Sequence, residues 1–169
     1  HVVDEREVDR KKGSANVKRW VELHPTNIAH KCKIIAEHFM ANVRPMLNGE
    51  AKAMIVTSGR LDAVRFKLAM DKHIKDAGIQ GIGTIVAFSG EVVDPEVPGS
   101  KYTESSMNVS LGGTEIPQAF KRPQFNLLIV ANKFQTGFDQ PLLCGMYVDR
   151  RLSGIQAVQT LSRLNRCHP

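Results

Sequence analysis

Apolar positions gather into four short runs, at 53–57, 84–88, 127–131 and 145–149, each largely apolar with β-branched or aromatic members and no clean alternation. A strand without alternation is buried on both faces, as in a parallel sheet covered on either side. Between the runs the period becomes helical. Over 27–46, Ile28, Cys32, Ile35, Phe39 and Val43 recur at helical spacing behind Pro25 and Thr26, which supply a start. Over 61–77 the stripe is Ala63, Phe66, Met70, Ile74 and Ala77, and Gly78 offers a stop. A last helix is expected over 154–166, opened by a capping box of Ser153 and Gln156.

Strands alternating with helices predict an α/β open sheet. One stretch breaks the rhythm. Residues 90–113 are rich in Gly, Pro, Ser and Val, have no period and are too long for an ordinary connection. They are expected to form either an ordered insertion or a mobile flap. Residues 1–20, with the charge run Arg10, Lys11 and Lys12, read as a linker or fragment end, leaving 21–169 as one lobe. A terminal helix in such a sheet is normally followed by a strand, so truncation after Pro169 is expected.

Composition narrows the class only a little. A chain of 169 residues with 42% apolar content suits one globular domain. It has no apolar run near the roughly 18 residues needed to span a bilayer, and its charged start carries no secretory signal. A soluble, cytoplasmic protein is expected. Lys and Arg exceed Asp and Glu by 23 to 17, a net charge of +6 that suits a polyanionic partner without demanding one. Cys32, Cys144 and Cys167 form no metal-ligand spacing and are expected to be free thiols. The six histidines, among them His24, His30 and His38, likewise show no ligand spacing, so no metal site is expected in the chain.

The chemistry-bearing signal lies on the last helix. At about 100° per residue, Gln159, Arg163 and Arg166 fall within an arc of about 60°, while Val158, Leu161 and Leu164 take the opposite side. Two guanidiniums and an amide on one polar face suit a phosphate chain, because guanidinium is always charged and offers a planar fork of donors. The same pattern is also how a solvated face with surface salt bridges reads. A second signal upstream favours the first reading. The run at 127–131 enters a loop holding Gly137 and Asp139 and closed by Pro141. Gly137 permits close backbone approach, and Asp139 can hold an arginine or a ribose hydroxyl.

These two segments match motifs V and VI of superfamily 2 helicases and translocases. The stretch AMIVTSGR at 53–60 resembles motif IV, and Phe88-Ser89-Gly90 sits where that family places its next nucleic-acid-facing turn. The wording ANKFQTGFDQPLLCGMYVD followed by RLSGIQAVQTLSRLNR is narrower still and resembles the motor subunit of type I restriction enzymes. VELHPTNIAHK, AFSGEV and the YTE of Tyr102, Thr103 and Glu104 do the same.

That resemblance implies a RecA-like fold, the second lobe of an ATP-dependent translocase on double-stranded DNA. Arg163 and Arg166 would reach as arginine fingers to ATP and Mg2+ held mainly by a first RecA-like lobe. Gln159 would support the same nucleotide, and Gly137 and Asp139 would couple it to the DNA side. Thr57, Ser58, Ser89 and Gly90 would contact the phosphate backbone at strand ends. Many members of that family carry a Thr about eight residues before the motif V Asp. Here that position is Ala131, which leaves Lys133 or Thr136 to make the phosphate contact. Implied partners are the first lobe and nuclease domain of the same subunit, and the methylation and specificity subunits.

Some elements are missing from the sequence. It has neither a GxxxxGK[ST] loop nor a DExH or DEAD box, so hydrolysis needs another lobe. Glu50 and Lys52 imitate the E-x-K of a nuclease but lack an upstream Asp on a strand. Two other readings stand beside the restriction motor: the same lobe from a type III restriction or repair helicase, and a non-catalytic module that binds DNA or protein.

Overall fold

A computed structural model describes residues 28–131 and 140–149. In chain order these form α1 (Ile28–His38), β1 (Lys52–Thr57), α2 (Arg60–Asp76), β2 (Thr84–Ala87), β3 (Glu91–Val92), β4 (Tyr102–Thr103), α3 (Glu104–Met107), α4 (Ile116–Ala119), β5 (Leu127–Val130) and β6 (Leu143–Asp149). The four apolar runs become one sheet of order β2-β5-β1-β6 with every neighbour parallel. The result is an α/β fold, a four-stranded parallel sheet flanked by helices and consistent with a RecA-like lobe.

Side chains alternate across the strands, and both faces are covered. Ala53, Ile55, Val86, Leu127, Ile129 and Tyr147 face α1 and α2, packing against Cys32, Ile35, Phe39, Phe66 and Met70. Met54, Val56, Ile85, Leu128, Val130, Met146 and Val148 face the other way, under Leu111, Ile116, Ala119, Phe120 and Phe125. Of the predicted stripe of the first helix, Cys32, Ile35, Phe39 and Val43 are buried and Ile28 is half-buried, and the last part, Phe39–Val43, widens into a π-helical turn. The second helix stops where Gly78 takes a φ of +63°, as the sequence suggests.

The irregular 90–113 stretch is an ordered insertion. β3 and β4 pair as an antiparallel hairpin. Thr103 and Ser106 then cap α3 reciprocally: the Ser106 N–H donates to the Thr103 hydroxyl at 3.1 Å, and the Ser106 hydroxyl accepts from the Thr103 N–H at 2.9 Å. The insertion covers β2, an edge strand in the described sheet. Buried Asn108 accepts from the Val86 N–H at 3.0 Å and donates to the Val86 carbonyl at 2.7 Å. One amide side chain thus supplies both bonds that a neighbouring strand would supply, and an open edge is closed. The hairpin is tied to α2 by a two-pronged contact, Arg65 Nε and Nη2 to the Asp94 carboxylate at 3.0 and 2.8 Å. That guanidinium holds the Asp94 carboxyl below the usual carboxylate range.

Candidate nucleic-acid interface

The carboxyl ends of all four parallel strands lie at one edge of the sheet. β1 and β5 are adjacent, yet their connections diverge. β1 leads to β2 on one flank of β5, and β5 leads to β6 on the other flank of β1. Open α/β sheets place ligands at such a crossing, outside the carboxyl ends of the strands.

Thr57 ends β1, fully buried, and donates to the Val130 carbonyl at 2.9 Å and the Gly59 carbonyl at 3.1 Å. Its hydroxyl is turned inward and ties β1 to β5. Exposed Ser58 donates to the Asp62 carboxylate in the first turn of α2. Arg60 Nη1 donates to the Ser89 carbonyl at 2.9 Å, so the turn after β1 is bound directly to the turn after β2. Gly90 has a φ of +75°, and a Cβ there would stand 2.9 Å from that same nitrogen. The positive φ favours glycine, and a side chain there would also displace the Arg60 guanidinium. On the outer side, a Glu104 carboxylate oxygen accepts from the Phe88 N–H at 2.8 Å. The structure therefore brings Ser58, Ser89 and Gly90 to one edge, with Thr57 beneath them.

Ala131 is buried in the cluster under α1 and α2, and its N–H donates to the Ala87 carbonyl at 3.3 Å. Lys133, Thr136, Gly137, Asp139, Gln159, Arg163 and Arg166 lie outside the described residues, as do 1–20 and the last predicted helix.

Several residues at this edge were not singled out from the sequence. Arg60 closes the AMIVTSGR stretch and Glu104 closes YTE, so the motifs were legible while their partners were not. Lys31 of α1 pairs with Asp149 at the end of β6, Nζ to Oδ1 at 2.5 Å, and Asp149 stands beside Thr57 in the β1–β6 register. Below α2's amino end a cavity of about 360 Å³ is lined by Gly59, Arg60, Leu61, Asp62 and residues 91–93. Its two carboxylates, Asp62 and Glu91, oppose its one guanidinium, so it is a poor anion pocket.

Away from the edge, Lys52 is buried, and its ammonium donates to the Arg122 and Phe125 carbonyls at 2.9 and 2.5 Å. It is a structural residue, and the resemblance of Glu50 and Lys52 to a nuclease pair ends there. Cys32 is a free, buried thiol pushed up to about 12 by desolvation and then by the charge of Asp149. Among the described residues no three His, Cys, Asp or Glu side chains gather as a metal site, and no helix is long and apolar enough to cross a membrane.

Residues 101–169 match the family described as type I restriction enzyme subunit R domain 3. A Methanocaldococcus jannaschii protein that carries the name type I restriction enzyme MjaVIIP endonuclease subunit is 30% identical over 172 residues, covering 95% of this chain and 16% of its own length. A second protein of that organism, named for the MjaVIIIP endonuclease subunit, is 26% identical over 151 residues, covering 83% of this chain and 14% of its own. The chain thus spans only a small part of the relatives it matches. The matched stretch, the two relatives and the parallel sheet agree, and the chain belongs to the type I restriction enzyme R-subunit family, as the helicase C-terminal-like lobe that forms domain 3.

Proposed function

We propose that residues 21–169 are the second RecA-like motor lobe of an ATP-dependent translocase on double-stranded DNA within a type I restriction endonuclease. The observation that carries this reading is the edge at the β1–β5 crossing, where Ser58 and the Ser89–Gly90 turn converge beside the entry to 132–139. Serine hydroxyls and backbone amides at strand ends suit phosphates and carry no base readout. ATP and Mg2+ are held mainly by the first lobe of the same subunit. This chain contributes the Arg163 and Arg166 guanidiniums, which neutralise charge developing on the transferred phosphoryl group, and the Gln159 amide. Lys133 or Thr136 takes the phosphate contact that Ala131 does not make, and Gly137 and Asp139 link the nucleotide and DNA sides. The nuclease domain, methylation subunit and specificity subunit are the further partners, and the whole works in the cytoplasm.

The test is made in the intact subunit. Arg163→Ala and Arg166→Ala each lower ATP turnover by about 10³ or more, with little change in melting temperature, and translocation falls in step. Arg→Lys rescues poorly, since an ammonium lacks the fork. Normal turnover in both variants refutes the assignment, and early melting marks a structural arginine.

A further inference from the structure

The YTE segment has no role in the reading above, yet its glutamate reaches the nucleic-acid-facing turn. Two peptides bracket the Phe88–Ser89 pair, one before Phe88 and one after Ser89, and each is held by a side chain from a different element. The peptide joining Ala87 and Phe88 has its carbonyl on the Ala131 N–H at 3.3 Å and its N–H on the Glu104 carboxylate at 2.8 Å. The peptide joining Ser89 and Gly90 has its carbonyl on Arg60 Nη1 at 2.9 Å. In a planar trans peptide the C=O and N–H point opposite ways, and no cis bond occurs among the described residues. Fixing the Ser89 carbonyl on Arg60 therefore aims the Gly90 N–H away from the guanidinium.

Neither side chain reads as a direct phosphate ligand. Glu104 carries the wrong charge. The Arg60 guanidinium gives an Nη1 donor to a carbonyl and shares its cavity with Asp62 and Glu91, whose charges oppose an anion there. Their common effect is on the turn between them. We propose that Arg60 and Glu104 are positioning residues: together they fix the peptides that bracket the Phe88–Ser89 pair, so that the Gly90 N–H and the Ser89 hydroxyl face a nucleic-acid phosphate. The proposal rests on the reading of this edge as the DNA-facing one. The insertion at 90–113 thereby has a task, since it carries Glu104 to β2 and is fastened to β2 through Asn108 and to α2 through Asp94.

Glu104→Ala and Glu104→Gln in the intact subunit separate positioning from charge. Gln keeps an acceptor for the Phe88 N–H and removes the negative charge; Ala removes both. The readouts are the concentration of a double-stranded DNA of arbitrary sequence giving half-maximal ATPase stimulation, and its dependence on salt. Glu104→Ala raises that concentration about tenfold, the effect of losing one charge-assisted hydrogen bond, while the DNA-saturated rate falls less than about twofold. The salt slope barely changes, because a neutral N–H releases no counterion. Glu104→Gln stays near the wild type.

Equal losses in the Ala and Gln variants, no loss in Ala, or tighter binding in both overturn the proposal. So does a slope reduced by about one, which marks a lost cationic contact. If Glu104→Ala does not fold, Arg60→Leu against Arg60→Gln decides. Both remove the charge at an exposed position and only Gln keeps a donor, so Leu must bind several-fold more weakly and equality overturns the idea. A wild-type subunit that neither binds DNA nor responds to it refutes the motor-lobe reading itself. A responsive wild type with indifferent variants refutes only the positioning.

Discussion

The two faces of the sheet are covered by different means. On one side α1 and α2 satisfy their own backbone, and the buried lysines there each have a carboxylate partner, Lys31 with Asp149 and Lys67 with Asp71 at 2.7 Å, Lys67 donating also to the Thr84 hydroxyl and carbonyl. On the other side, and around the β2 edge, the cover is short turns, and buried Lys52, Gln140, Asn126 and Asn108 bind backbone groups, with no carboxylate hydrogen-bonded to them among the described residues. Lys52 holds the Arg122 and Phe125 carbonyls, and Gln140 donates to the Phe120 carbonyl at 3.3 Å. Asn126 accepts from the Gly83 N–H at 3.1 Å, and Asn108 brackets Val86. A helix is self-sufficient in hydrogen bonds, whereas an irregular segment must find partners for its orphaned groups elsewhere. The irregular face therefore depends on a few long-range side chains, and its loss should be local.

The sharpest test removes one fully buried ring from each face. Phe66→Ala and Phe120→Ala each cost about 3–5 kcal/mol through lost burial and the cavity left behind. Hydrogen exchange separates them: Phe120→Ala opens residues 108–126 selectively, while Phe66→Ala lowers protection throughout the sheet. Matching exchange maps would break the comparison.

Next in size is Lys52→Met, expected to cost about 2 kcal/mol because two buried carbonyls lose their donor. Desolvation lowers the Lys52 pKa, with the charge of Glu50 opposing it. In the window between the folded pKa and the unfolded value near 10.5, the unfolded chain binds more protons, so stability linked to this group rises with pH. The deprotonated amine still donates. Denaturant unfolding from pH 7 to 10 should show that rise in the wild type relative to Lys52→Met, and a parallel pair of curves would contradict it.

Asn108→Ala comes third, at about 1–2 kcal/mol, since two buried backbone groups of Val86 lose their partner. Exchange at the Val86 amide is the direct readout, and Asn108→Asp should protect it better than Ala, because it retains the acceptor. The smallest effect is expected on the helical face at the exposed Lys33–Glu37 pair, 4.0 Å apart. Lys33→Ala should shift stability by less than about 0.5 kcal/mol.

The difference between the faces is also a difference in legibility. The stripe from Cys32 to Val43 and that from Ala63 to Met70 are visible as periods, because one helix face repeats every few residues and meets one surface. The 90–113 stretch has no period, since its stabilising contacts run to Val86, Phe88 and Arg65, distant in sequence. Nothing local in Asn108 announces that it stands in for a strand. At the edge the same rule holds: AMIVTSGR and YTE carry the family's wording, but the bond from Arg60 to Ser89 is known only once β1 and β2 lie in one sheet.

By itself the sequence determined the four strands, the two long helices and the family, because burial on both faces, helical period and motif wording are all local properties. Only the tertiary structure decided the strand order, the ordering of the insertion along β2, the inward turn of the Thr57 hydroxyl and the pairing of Arg60 and Glu104 with one turn. Each of those needs two segments far apart in the chain to meet, and a backbone group buried at their junction takes whatever polar side chain the fold brings within reach.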